Sequence, residues 1–234
     1  MSLRQLHLLV VNAITFIRVP FILAFLVLAL VHGWGVQSGV QCNTESLRAL
    51  NFGEVLEKTS DAWAWVALVF LTLSALTDLF DGALARKWKV VTKFGAMCDP
   101  LMDKVFYLIV FPTLLWLLPI GKPEERWHAL FMVVLTILYL LRDQWVTFLR
   151  SVGSLYGANC AASFLGKFRT AMTFPLCGVI YLYIMLYDYP KDTMTWFRWV
   201  VYTGEAVAIL LNFWSLYVYT RDYMPYIKRS ISEK

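Results

Sequence analysis

Charge is scarce in this chain of 234 residues: Asp, Glu, Lys and Arg make up 16% of it, where soluble domains carry about 25%. That shortage excludes an ordinary soluble enzyme, a disordered regulator and a fibrous protein. Cysteine and histidine are scarce too, with four and three residues. Cys42, Cys98, Cys160 and Cys177 show no C-x-x-C spacing, and His7, His32 and His128 are scattered. A disulfide framework and a His/Cys zinc site therefore lack their raw material. No polar stretch is long enough for a large extramembrane domain, and there is no repeat. The net charge of +5 is not gathered into a basic patch outside the apolar segments, so nucleic acid is not an expected partner.

What fills the chain is apolar surface: 59% of residues are hydrophobic. Six apolar segments stand out, at 7–31, 62–85, 94–119, 127–151, 168–187 and 194–219. A span needs about 20 residues, so the expected fold class is all-α, a polytopic membrane protein of six transmembrane helices forming one domain over 1–234. The first segment is too long for a signal peptide and contains Asn12, Arg18 and Pro20, so it reads as an uncleaved helix. The stretch 33–60, with Gly33, Gly35 and Gly39, reads as a loop holding at most a short interfacial helix near 45–58. Trp63, Trp65, Trp116, Trp127, Trp196 and Trp199 stand near span ends, as interfacial anchors do. Twelve Lys and Arg residues fall on the side of the termini and six on the other. The positive-inside rule then places both termini in the cytoplasm.

Ionisable groups inside membrane helices are costly and mark function. Here they cluster. Asp78 and Asp81 stand i, i+3 near the end of the second segment, and Asp99 and Asp103 stand i, i+4 at the start of the third. Each pair shares a helix face, and the short link makes the two helices antiparallel neighbours, so four carboxylates converge near the cytoplasmic boundary. Capping and pairing with Lys87, Lys93 or Lys104 would account for one aspartate but not four, and Asp78 and Asp81 sit where the helix dipole disfavours negative charge. Carboxylates without His or Cys suit hard cations, Mg²⁺ or Mn²⁺. Two such ions would balance four aspartates and could clamp a phosphoryl displacement. Gly82 and Gly95 would let backbone approach a ligand, Ala85 keeps the face open, and Arg86 offers a bidentate phosphate contact.

The run D-x-x-D-G-x-x-A-R, eight residues, G-x-x-x-D-x-x-x-D, from Asp78 to Asp103, resembles the signature of the CDP-alcohol phosphatidyltransferases. Asn12 to Arg18 resembles the N-x-x-T-x-x-R start of that family's first helix. Thr92 to Gly95, Asp99 to Lys104, Arg142-Asp143 and Gly166 to Thr170 look like its bacterial phosphatidylglycerophosphate synthase branch. The resemblance covers most of 10–175; loop 33–60 and the last helix match nothing specific. It implies six helices, a homodimer in the cytoplasmic (inner) membrane among its lipids, and an active site facing the cytoplasm. It also implies phosphatidyl transfer from CDP-diacylglycerol to an alcohol, with release of CMP. Carried over, Asp78 and Asp99 would bridge two metal ions, Asp81 and Asp103 would complete the two sites, and Asp103 would be the general base. Asn12, Ala13, Ile14, Thr15, Gly82, Arg86 and Thr92 would contact the CDP-diacylglycerol donor.

A phosphorylated acceptor needs fixed positive charge, preferably Arg. Arg142, Arg150, Lys167 and Arg169 lie toward the same cytoplasmic end and suit the phosphate of glycerol 3-phosphate. Orientation and headgroup binding would equally explain Arg150, and an ion pair with Asp143 would explain Arg142. Asp143 stands where many members of the branch have Glu, which keeps phosphatidylglycerol, as in cardiolipin synthases, among the acceptors; inositol phosphate is another. A divalent-cation transporter using the same aspartates is the reading from a different class, but it predicts carboxylates near the bilayer midplane. Glu205 reads as an interhelical or dimer contact.

Overall fold

The computed structural model describes residues 3–41, 52–88, 90, 93–118, 125–157, 164–186 and 191–232. Within those helices the side chains of Asp81, Ala85, Arg86, Gly95, Asp99 and Lys167 lie outside the described residues, and Thr92 does so entirely. The described chain is six helices: α1 (Leu3–Gln41), α2 (Phe52–Trp88), α3 (Lys93–Leu117), α4 (Arg126–Leu155), α5 (Phe164–Met185) and α6 (Lys191–Ser232). Five of them are long and apolar enough to cross a membrane, counted over the described residues. The all-helical expectation holds.

The helices overrun the apolar segments. Helix α1 continues through Gly33, Gly35 and Gly39 to Gln41, and α2 starts at Phe52. The loop expected over 33–60 is thus helical at both ends, and its middle, 42–51, lies outside the described residues. Glycine weakens a helix by about 1 kcal/mol but keeps its N–H, and 33–60 contains no proline. Helix α6 runs thirteen residues past the apolar segment that ends at 219. Prolines 20, 175 and 225 all lie inside helices, as spanning segments tolerate.

The chain forms two compact units, one of residues 1–118 and 180–188, the other of 119–179 and 189–234. In the first, α1 packs on α2 and α3. Val11, Thr15, Arg18, Ile22, Phe25 and Ala29 recur at three- and four-residue intervals and are all buried, the stripe expected of a helix face. A Cβ at Gly33 would fall into the Trp116 ring, so this glycine lets α1 approach the end of α3. Tyr181 closes the unit, its ring edge-on to Phe25 at 5.4 Å and its hydroxyl donating to the Ala64 carbonyl at 3.2 Å.

In the second unit α4 and α6 pair along a polar seam. The buried stripe of α4 includes His128, Tyr139 and Arg142; that of α6 includes Glu205, Asn212, Ser215 and Tyr219. Leu210, Phe213, Trp214 and Tyr217 of α6 are exposed. Polar groups inside and apolar groups outside are what hydrocarbon imposes on a helix pair. Glu205 is an interhelical contact: its Oε1 lies 2.8 Å from His128 Nε2, while His128 Nδ1 lies 3.3 Å from Glu125.

Candidate active site

In the first unit, α1 delivers one guanidinium to carboxylates of two other helices. Arg18 Nη1 donates to Asp78 Oδ1 at 2.7 Å and Nη2 donates to Asp103 Oδ1 at 3.1 Å. Arg18 is 1% exposed, and the two aspartates are 22% and 25% exposed. Its Cζ lies 5.8 Å from the centroid of the Phe106 ring. An arginine in the middle of an apolar helix would be prohibitive without acidic partners; here they come from 60 and 85 residues away along the chain. The site reading from sequence did not assign Arg18 a role. The signal was present, a charge within the first apolar run and the last letter of N-x-x-T-x-x-R, but its partners were not legible.

Asp78 of α2 and Asp103 of α3 are therefore brought together, as the acidic-cluster reading requires of that pair. The backbone at 78–81 and 99–103 is helical, the condition on which the pairing of Asp78 with Asp81 and of Asp99 with Asp103 rests. The described donors are oxygen-only and partly open, which suits a hard cation. Among the described residues no group of three or more His, Cys, Asp or Glu side chains is arranged to hold an ion. Gly82 is half-buried one turn beyond Asp78. Of the donor-contact residues expected on α1, Thr15 is buried and its hydroxyl donates to the Val11 carbonyl at 3.2 Å. Asn12 and Ile14 are half-buried, and Ala13 is exposed.

In the second unit the expected acceptor arginines form a cluster. Arg142 Nη1 and Arg169 Nη2 both donate to Asp143 Oδ1, at 2.8 and 2.7 Å. Ser215 Oγ accepts from Arg142 Nε at 3.1 Å and Nη2 at 2.7 Å. Asn212 Oδ1 accepts from Arg169 Nη1 at 2.9 Å, and the Tyr219 hydroxyl accepts from Arg150 Nη2 at 3.0 Å. Arg169 lies 4.5 Å from the Tyr139 ring centroid, and the Tyr139 hydroxyl pairs with Thr173. The ion pair of Arg142 with Asp143 is thus present. Arg169 shares that carboxylate, so among the described ion pairs two guanidinium groups meet one aspartate; guanidinium groups gathered in this way suit an anion.

Comparison with known proteins bears on this arrangement. A chain from Sodalis glossinidius is 30% identical over 155 residues, covering 65% of this chain and 75% of its own length. One from Cereibacter sphaeroides is 31% identical over 153 residues, covering 63% and 66%, and one from Salmonella choleraesuis is 30% identical over 164 residues, covering 68% and 79%. All three carry the name CDP-diacylglycerol–glycerol-3-phosphate 3-phosphatidyltransferase. The family model for CDP-alcohol phosphatidyltransferases matches residues 8–210. Arg18, the motif from Asp78 to Asp103 and the arginines of α4 and α5 all fall within that match, and the chain belongs to the CDP-alcohol phosphatidyltransferase family.

Proposed function

We propose that the chain transfers the phosphatidyl group of CDP-diacylglycerol to glycerol 3-phosphate, giving phosphatidylglycerophosphate and CMP. The observation that carries this reading is the convergence of Asp78 and Asp103, from two helices, on one guanidinium. The names of the relatives support the choice of substrates. Asp78, Asp81, Asp99 and Asp103 would hold two Mg²⁺ or Mn²⁺ ions, which when bound stabilise charge on the donor's phosphates. Arg86 donates to a donor phosphate. Gly82, Thr92 and the segment Asn12–Thr15 seat the CDP moiety. The acceptor hydroxyl oxygen attacks the phosphorus that carries the lipid, the bond from that phosphorus to CMP breaks, and Asp103 takes the hydroxyl proton. Arg142, Arg150, Lys167 and Arg169 hold the acceptor's phosphate.

A labelled-donor assay with glycerol 3-phosphate, phosphatidylglycerol and inositol phosphate as acceptors tests the reading. Fastest transfer to glycerol 3-phosphate is expected, and preference for either other alcohol would overturn the acceptor assignment. Stabilisation by CMP with Mg²⁺ in a thermal shift is expected as well; a cation transporter would show none.

Arg142→Ala or Lys167→Ala is expected to raise KM for glycerol 3-phosphate by about 10- to 100-fold, the usual weight of a hydrogen bond to a charged group. KM for CDP-diacylglycerol should change far less. Equal effects on both substrates would point to a general structural loss.

The reading extends to topology. Six spans place both termini and the active site at the cytoplasmic face of the inner membrane, in a homodimer. Cysteines introduced at 40–55 should be labelled from outside, and those at 226–234 only after permeabilisation. The reverse pattern would put the site on the wrong side for cytosolic substrates.

A further inference from the structure

The family match ends at residue 210, inside α6. Just beyond it stand Asn212, Ser215 and Tyr219, at spacings of three and four, all buried in the seam with α4. Each of the three holds an arginine of the cluster. Ser215 Oγ accepts from both Nε and Nη2 of Arg142, along one edge of the guanidinium. Asn212 Oδ1 accepts from Arg169, and its amide is locked by donation to the Ala208 carbonyl at 2.8 Å. Tyr219 accepts from Arg150, and its ring lies 5.0 Å from the Cζ of Arg142 and 5.5 Å from that of Arg150.

The chemistry of these partners is selective. A guanidinium is planar, and its N–H directions are set once one edge is fixed. Serine, asparagine and tyrosine fix an edge without supplying negative charge. A carboxylate in any of these places would cancel the positive charge that an anionic ligand needs. Among the described ion pairs Arg142 and Arg169 share one carboxylate, that of Asp143; Asn212, Ser215 and Tyr219 add orientation and no charge.

We propose that Asn212, Ser215 and Tyr219 are positioning residues that orient Arg142, Arg169 and Arg150 for the phosphate of a phosphomonoester acceptor, so that α6 tunes acceptor selection. The inference rests on the reading above that these arginines take the acceptor phosphate.

Two variants of the full-length protein test it in detergent with Mg²⁺. Ser215→Ala removes both bonds to Arg142 and is expected to raise KM for glycerol 3-phosphate about tenfold, as loss of a bond to a charged group does. Asn212→Asp keeps an oxygen facing Arg169 but adds negative charge, and is expected to raise that KM at least as much. KM for CDP-diacylglycerol should stay within about twofold in both. KM does not depend on the folded fraction, so a destabilised variant still reports. An unchanged glycerol 3-phosphate KM in both variants, or equal rises for both substrates, would overturn the proposal.

Thermal stabilisation by inorganic phosphate separates this inference from the reaction it rests on. A wild type that ignores glycerol 3-phosphate but is stabilised by phosphate, with the effect lost in both variants, would sink the acceptor assignment and keep α6 as the positioning element. A wild type that neither uses glycerol 3-phosphate nor responds to phosphate would overturn both.

Discussion

Alanine at Asp78 or Asp99 is expected to lower transfer by about 10³-fold or more, to the background of the assay. Charge stabilisation of several kcal/mol depends on the aspartate set, and each 1.36 kcal/mol is tenfold in rate. EDTA should silence the wild type, and Mg²⁺ or Mn²⁺ should restore it. The structure adds a complication at Asp78. Its carboxylate also accepts from Arg18, which is buried, so alanine there takes one described aspartate partner from a buried guanidinium and costs stability as well. Asp78→Asn separates the two effects. It keeps an oxygen for Arg18 but carries no charge, so it should fold better than the alanine variant and remain as inactive. The measurement is activity against Mg²⁺ concentration, beside a melting curve. Wild-type activity at low Mg²⁺ in any of these variants would remove the two-metal site.

Asp103→Asn is expected to cost about 10²–10⁴-fold, the range for loss of a general base. Asparagine nearly matches aspartate in shape and can still accept from Arg18 Nη2, so the contact at 3.1 Å need not be lost. It cannot take a proton at neutral pH. The decisive rate is that of the variant at saturating Mg²⁺ and saturating donor. A base role predicts that the deficit persists and that the acidic limb of the pH–rate profile flattens. Recovery to within a few-fold of wild type would leave Asp103 as a ligand or as a partner of Arg18 only.

The contrast between these two variants depends on Arg18, whose role could not be read along the chain. The aspartates could be, because their spacing is local: i, i+3 and i, i+4 on a helix place side chains on one face whatever surrounds them. The same holds for helix number and for the membrane character of the chain, since hydrocarbon selects long apolar runs wherever they occur. The ends of the helices were less legible. The continuous apolar segment stops at 219 in α6, yet the backbone continues to Ser232, because Tyr223 is still buried against Val146 and Leu149 of α4, with Tyr226 and Ile227 packed beside it. The glycines of 33–39 misled in the same way, being weak breakers in a segment without proline.

What the sequence determined by itself is the class of molecule, the aspartate motif and the supply of cationic side chains. Each follows from composition or from spacing within one helix. Only the tertiary structure decided which charges meet: Arg18 with Asp78 and Asp103, Arg142 and Arg169 with one shared Asp143, and the neutral residues of α6 with those arginines. The reason is physical. A buried charge must find a partner or pay its desolvation, but apart from Arg142 and its chain neighbour Asp143 nothing local names that partner. Most of these pairs are separated by 26 to 85 residues of chain, and helix packing alone brings them within reach.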